Sequence, residues 1–448
     1  MTLIIRNCAY LIRNPIQIEQ GCDLLIDGSR IRTIGQNLPV PQEAEVLDGS
    51  GCVVMPGLIN PHTHLYQNFL KGVSSGLPLV PWCNQILFPT VDAVRKGRHS
   101  GQERAAYLWS ALAAIEMLKG GITSCIDMDM VYPEVMHAWR DLGFRGVLAY
   151  TLSNQWLPAE LRAEEETMKR KALEFVDEFH HPEGLTTVFL APSTLFLCTE
   201  PFLEWTGEQA GKLDLGMQIH IAEIAGEVDD LVIETGRRTV EQLEHLDLLG
   251  ERLSAVHCVH INTWEMELLK RSGTNVVHCP KSNMKLADGV APVTVMRRMG
   301  IPVSVGTDGC ASNDLLDMWE EMRAAVLLAR VTENAAAAMT PQEAFSMATI
   351  EAARAARLDA GELQPGKLAD VVLLELKGVH LQPWHADDLI NSLVFCGKAG
   401  DVRDTVIHGQ VVMRNRQITH MNETDLIDEA QSIEKELFRM RADYSPVS

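Results

Sequence analysis

Short apolar runs that end in polar or ionisable residues recur along most of this chain, with helically spaced stretches between them. The run Val53-Val54-Met55-Pro56-Gly57-Leu58-Ile59-Asn60-Pro61-His62-Thr63-His64 reads as a buried strand. Further β-rich runs predict strands at 121–128, 145–152, 186–193, 217–223, 253–259, 275–280 and 302–308. Helix-like segments such as 102–119 and 240–249 separate most of them. Strand followed by helix, repeated, predicts parallel strands joined by crossover helices. Eight such units predict an α/β fold, a (β/α)8 barrel with insertions whose chemistry sits at the C-terminal ends of the strands. A doubly wound open sheet is the runner-up, disfavoured because no Gly-x-Gly-x-x-Gly opens a helix.

The two chain ends have a different texture. Leu3-Ile4-Ile5, Leu24-Leu25-Ile26 before Asp27-Gly28, and Ile31-Arg32-Thr33-Ile34-Gly35 alternate with turn signals and predict a small antiparallel unit. The same texture returns in Ala369-Asp370-Val371-Val372-Leu373-Leu374, Asp404-Thr405-Val406-Ile407-His408-Gly409 and Val411-Val412-Met413. Neither piece has enough strands to bury both faces, so the two ends are expected to form one small β-sandwich. The expected division is 1–56 and 366–448 for the sandwich and 57–365 for the barrel, with a closing helix from about 421 onward. Leu426, Ile427, Ile433, Leu437 and Met440 supply its apolar spacing.

Composition narrows the partners. At 448 residues and 46% hydrophobic content the chain exceeds one typical domain. Its net charge is 39 − 60 = −21, without a Lys/Arg-rich run, which disfavours nucleic acid and anionic lipid and favours small neutral or cationic substrates. The ten cysteines include no Cys-x-x-Cys and are expected as reduced thiols of a cytoplasmic protein. No signal peptide or membrane span is read from the N-terminus or elsewhere. A homo-oligomer, dimer or larger, is expected.

Polar residues gather where the barrel reading wants them. In a strand, i and i+2 leave the same face, so His62 and His64 can place two imidazole nitrogens on one metal ion. The run Gln218-Ile219-His220-Ile221-Ala222-Glu223, the run Ala255-Val256-His257-Cys258, and the run ending Gly306-Thr307-Asp308 bring His220, Glu223, His257 and Asp308 to matching strand ends. A single buried histidine is usually a satisfied core residue. Several at matching strand ends would each need their own buried partner, and a shared site explains them more simply.

At these residues the chain resembles the amidohydrolase superfamily, in particular the aminohydrolase branch that includes methylthioadenosine/S-adenosylhomocysteine deaminases and atrazine chlorohydrolase. The resemblance covers nearly the whole chain. It rests on Pro56-Gly57-Leu58-Ile59-Asn60-Pro61-His62-Thr63-His64, His220-Ile221-Ala222-Glu223, Ala255-Val256-His257-Cys258-Val259-His260, Ser282-Asn283-Met284-Lys285-Leu286 and Gly306-Thr307-Asp308-Gly309-Cys310-Ala311-Ser312-Asn313-Asp314. Ala352 and Arg357 stand where family members commonly have glycine.

The resemblance implies that His62, His64, His220 and Asp308 hold one divalent metal, zinc first and iron second, with Asp308 also acting as base. It implies that Glu223 carries a proton and that His257 hydrogen-bonds the attacking oxygen. Two-metal relatives use a bridging lysine or acid from strand four; here that strand ends Ala191-Pro192-Ser193, so one metal is expected, and Lys281 lies after strand seven. The chain lacks the combination of His-x-Glu with Pro-Cys-x-x-Cys that marks cytidine-type deaminases.

The expected activity is replacement of an amino group on an aromatic nitrogen heterocycle by water. The alternatives are a dechlorinase or amine-releasing hydrolase of s-triazines, a deaminase of adenosine thioethers, and an inactive barrel kept for protein interaction, which intact ligands argue against. Gln67, Trp82, Asn283 and Asn313 are the expected substrate contacts, and Trp156 is a further stacking candidate. Val91 and Ser193 stand where thioether deaminases carry ribose-directed groups, so free heterocycles are expected to react at least as well as nucleosides.

Overall fold

The structure, a computed structural model, describes residues 2–73, 76–97, 104–130, 133–158 and 161–444. The chain opens with β1 (Thr2–Asn14), β2 (Gln17–Asp27), β3 (Arg30–Gly35), β4 (Glu45–Asp48) and β5 (Cys52–Pro56). Asn14 closes the first hairpin, its side-chain oxygen accepting the backbone N–H of Ile16 and Gln17. The barrel follows: β6 (Leu58–Thr63), β7 (Ile122–Asp129), β8 (Arg145–Leu152), β9 (Thr186–Pro192), β10 (Met217–Ile221), β11 (Leu253–His257), β12 (Asn275–His278) and β13 (Val303–Val305). The chain then returns through β14 (Val371–Glu375), β15 (Val402–Ile407), β16 (Gln410–Arg414) and β17 (Gln417–Ile418).

β6 to β13 pair in chain order as one parallel sheet. Every residue of β6, β7, β11, β12 and β13 is buried, as helices on the outside and side chains on the inside require. The sheet closes between its first and last strands: Asp308 N donates to His62 O at 3.0 Å, Thr307 N to Asn60 Oδ1 at 3.0 Å, and Asn60 Nδ2 to Thr307 Oγ1 at 2.7 Å. Inside, Ile59, Ile126, Val147 and Phe189 pack with Ala352, Ala353, Ala356 and Ala360. Where family members commonly have glycine, Ala352 is wholly buried in this cluster, and Arg357 takes a left-handed backbone, φ 54°.

The two chain ends join in one nine-stranded mixed sheet. β5 pairs antiparallel with β14 from Pro56 opposite Val371 to Cys52 opposite Glu375. β4 and β5 both run parallel to β1, a pairing that the alternation pattern does not reveal. This sheet has its own core, with Leu3, Leu24, Val54, Leu363, Leu373 and Val406.

The barrel strands stop earlier than the apolar runs suggest. The expected 217–223, 253–259 and 302–308 end at Ile221, His257 and Val305; the first two end where Ala222, His257 and Cys258 take positive φ values of 50°, 73° and 50°, and Asp308, three residues past the third, has φ 61°. The expected helix 240–249 is Thr239–His245, followed by a left-handed Asp247 at φ 54°. Helix Ala105–Lys119 matches the expected 102–119, whose start falls outside the described residues. The closing helix Glu423–Ala442 begins at Asn422, whose side chain accepts the N–H of Thr424 and Asp425, and buries Leu426 and Leu437. Among the described residues, no helix is long and apolar enough to cross a membrane.

One buried ion pair ties barrel to sheet. Arg145, on β8, donates from Nε and Nη2 to the two oxygens of Asp370 at 2.6 and 3.2 Å, both side chains being 3% exposed. Removing one partner strands a buried charge, so Asp370→Ala is expected to lower the unfolding free energy by about 3–5 kcal/mol. Urea denaturation checks this, and a loss below about 1 kcal/mol would mean that the pair does not couple the two sheets.

Candidate active site

Strand ends converge at the C-terminal mouth of the barrel. His62 Nε2 lies 3.2 Å from His220 Nε2 and 3.4 Å from Asp308 Oδ1, and His64 Nε2 lies 3.3 Å from the same oxygen. Ligands around an ion at about 2.0–2.1 Å stand about 3.4 Å apart in a tetrahedron, and these three separations match that spacing. His62, His64 and His220 form one potential ligand group, and His62, His257 and Asp308 a second.

Burial disfavours the charged form of His64, His220 and His257, and a metal needs the neutral ring. Desolvation first, and neighbouring imidazoles second, lower His64 to about 4 and hold His220 well below its ordinary value. Desolvation also lowers His257 to about 3. Glu223 moves the other way: burial, then Asp288, Asp308 and Glu227, push its carboxyl well above the usual range. It sits 3.6 Å from His257 Nε2.

The turns that aim these side chains are strained. Ala222, His257 and Asp308 occupy the left-handed region, which costs a non-glycine residue about 1–3 kcal/mol. Local hydrogen bonds oppose that cost: Cys258 N donates to Ile221 O at 3.1 Å, His260 N to Ala222 O at 2.9 Å, and Glu223 N to the buried Glu227 carboxylate at 3.0 Å. Because φ at Ala222 reverses the strand, His220 and Glu223 both face the cavity although they are three residues apart.

Partners behind the ligands fix their orientation. Nδ1 of His62, His64 and His220 meets Gln218 Oε1 at 2.9 Å, Met128 O at 2.6 Å and Ser193 O at 2.7 Å. Asp308 Oδ1 accepts from Gly309 N at 2.7 Å, while Oδ2 accepts from Ser282 Oγ at 2.6 Å and Ser312 Oγ at 3.0 Å. Asp127 and Asp129 at the end of β7 accept the N–H of Leu65 and Tyr66, which start the 3-10 turn Leu65–Leu70. Gln218, Glu227, Asp127, Asp129 and the two serines escaped the sequence reading. For Gln218, Asp127 and Asp129 a signal existed, since they sit at or near polar strand ends, and Ser282 and Ser312 lie inside the motifs that carry the resemblance; for Glu227 none did, since its target is known only in three dimensions.

The cavity above these groups is lined by His64, His220, Glu223, His257 and Asp308, and by Gln67, Trp82 and Trp156. Gln67 is already engaged, accepting from Ala311 N at 3.3 Å and donating to Tyr66 Oη at 3.2 Å. A Cβ at Gly309 would come within 2.0 Å of Gln67 Oε1, so glycine is what lets this loop close over the turn. Trp82 is buried and Trp156 half-exposed, the latter edge-on to Phe196. Neither Asn283 nor Asn313 lines the cavity. Asn283 Nδ2 lies 3.1 Å from His257 Nδ1, and Asn313 donates to Thr307 O and Glu321 Oε1. Lys281 pairs with Glu320 and Glu321, also away from the cavity. Val91 lines an adjoining cavity instead, so its side chain stands outside the pocket where a ribose-directed group was expected.

The amidohydrolase family pattern matches residues 53–412, and the chain belongs to this family. The chain is 34% identical over 436 residues to 5'-deoxyadenosine deaminase of Methanothermobacter thermautotrophicus, covering 96% of this chain and 99% of that protein. It is 33% identical over 434 residues to 5-methylthioadenosine/S-adenosylhomocysteine deaminase of Carboxydothermus hydrogenoformans, covering 96% and 97%. The crystal structure of an adenosine deaminase from Xanthomonas campestris with bound zinc superposes with a TM-score of 0.90 at 28% identity, over 98% of each chain.

Metal content by elemental analysis is expected to be close to one ion per chain, and to fall in His62→Ala, His64→Ala and His220→Ala. Two tightly held ions, both needed for turnover, would show that the site is larger than the four side chains described.

Proposed function

We propose that this hydrolase deaminates the adenine-type ring of an adenosine derivative, with one divalent metal, zinc or else iron, held by His62, His64, His220 and Asp308. The convergence of three imidazole nitrogens and a carboxylate beside the buried Glu223, whose carboxyl is held well above its usual range, carries this reading. When bound, the metal supplies the Lewis acidity that lets water act as a nucleophile near neutral pH. Asp308 is placed to take a proton from that water, its carboxylate kept in orientation by Ser282, Ser312 and Gly309. Glu223, its carboxyl held well above the usual range by burial, is placed to donate one proton to a ring nitrogen, while the proton that Asp308 takes from water is the one that departs with the leaving amine. His257 donates to the attacking oxygen as charge develops there.

The cavity supports a planar, uncharged ring. Trp82, Phe88, Met128, Met130 and Leu286 line it, and its described lining includes no lysine or arginine. With Val91 removed from the comparison, the preference for free heterocycles over nucleosides loses one of its two supports, and Ser193 and Thr194 still offer hydroxyls to a sugar. The names of the curated relatives point the same way, toward adenosine derivatives. The ten free cysteines support a reducing, cytoplasmic setting, and self-association belongs to the same reading.

Glu223→Gln is expected to keep fold and metal while losing about a hundred- to ten-thousandfold in kcat, since an amide cannot shuttle a proton. Turnover within about threefold of the unaltered protein would remove Glu223 from the mechanism.

In a panel of 5'-deoxyadenosine, methylthioadenosine, S-adenosylhomocysteine, adenosine, guanine and amino- or chloro-triazines, scored for ammonia and chloride, an adenosine derivative is expected to reach kcat/KM of about 10⁴ M⁻¹s⁻¹ or above. Turnover confined to free bases or triazines would restore the alternative.

A further inference from the structure

The four site histidines do not share one environment. His62, His64 and His220 each turn Nδ1 toward an oxygen, at 2.9, 2.6 and 2.7 Å. An oxygen acceptor there requires the ring proton on Nδ1, and a neutral ring then leaves Nε2 bare for a metal. For His62 the acceptor is independently fixed, because Gln218 Nε2 donates to Pro61 O at 2.8 Å and so turns Oε1 toward the ring.

His257 is the exception. The atom facing its Nδ1, at 3.1 Å, is the amide nitrogen of Asn283. An amide nitrogen offers only protons, so Nδ1 of this buried ring must present its lone pair, and the ring proton belongs on Nε2. That nitrogen points toward Glu223 Oε1, 3.6 Å away. Asn283 is itself wholly buried. Nearby lies the Asp288 carboxyl, which burial pushes up to about 7 and whose two oxygens have no hydrogen-bond partner among the described residues. The loop that carries Asp288 is anchored twice, by Asp288 N to Asn283 O at 3.0 Å and by His260 Nε2 on Asp288 O at 2.7 Å.

We infer that Asn283 is a positioning residue that holds His257 as its Nε2–H tautomer, opposite to the three histidines that would ligate the metal. His257 then presents a hydrogen-bond donor to the cavity, even though its distances to His62 and Asp308 would suit a ligand. The role of that donor in turnover rests on the proposed deamination; the tautomer does not.

Long-range ¹H–¹⁵N correlation on metal-loaded protein labelled with ¹⁵N-histidine reads the tautomer directly, with the His257 signals assigned by their loss in His257→Gln. The expected result is Nε2–H for His257 and Nδ1–H for the other three. An Nδ1–H signal for His257 overturns the inference, and the spectrum of the unaltered protein decides this even if a variant fails to fold. Asn283→Asp replaces the donor by an acceptor. It is expected to move the His257 proton to Nδ1, to leave metal content unchanged, and to lower kcat about a hundred- to a thousandfold with less change in KM, the range seen when one oxyanion donor is lost. Unchanged kcat in Asn283→Asp with the tautomer reversed would instead count against the proposed role of His257 in the reaction.

Discussion

The site exists because the first barrel strand hydrogen-bonds to the last. His62 lies on β6 and Asp308 just past β13, separated by most of the barrel in sequence, and the bond from Asp308 N to His62 O places their side chains across one opening. Asn60 and Thr307, buried one layer below, exchange two further hydrogen bonds that hold the same seam. Closure leaves neither strand with an unpaired edge at that level, and it sets the carboxylate where the imidazole nitrogens converge. The alanine plug at the opposite end completes the core without entering the chemistry.

Above the seam, the molecule spends backbone strain on direction. Left-handed residues Ala222, His257 and Asp308 lie in the turns after three strands, where His220, Glu223, His257 and Asp308 face the cavity. The compensations are local and specific: Glu227 holds the N–H of Glu223, while serine hydroxyls and the Gly309 N–H hold Asp308. The carboxylates therefore differ in state although all are buried. Burial raises both, but at Asp308 the hydrogen bond and charge of His62 and the neighbouring imidazoles outweigh it and hold the carboxyl well below its usual range, whereas at Glu223 burial and then Asp288, Asp308 and Glu227 push it well above. The proposed deamination asks for this contrast, one group taking a proton and the other giving one.

The polar groups behind the histidines do related work at the level of a single proton. Oxygen acceptors behind His62, His64 and His220 expose bare Nε2 atoms, and the amide nitrogen behind His257 does the reverse. Similar rings in similar burial can thus take different parts because of atoms on their far side.

Strand order, the barrel, and the residues His62, His64, His220, Glu223, His257 and Asp308 were legible in the sequence, since burial on both faces writes continuous apolar runs and strand ends are where polar residues break them. The pairing of β5 with β14, the early ends of β10, β11 and β13, and the places of Asn283, Asn313 and Val91 were not. Periodicity reports which face of an element is buried and stays silent about what it is buried against. Asn283 is wholly buried, as a reading from pattern allows, yet whether its amide meets a substrate or a histidine depends on the turn after β12 and the position of β11. The sequence by itself determined which side chains are available to the chemistry; only the tertiary structure decided which atoms face one another, because hydrogen bonds and proton positions depend on ångström-scale contacts between segments far apart in the chain.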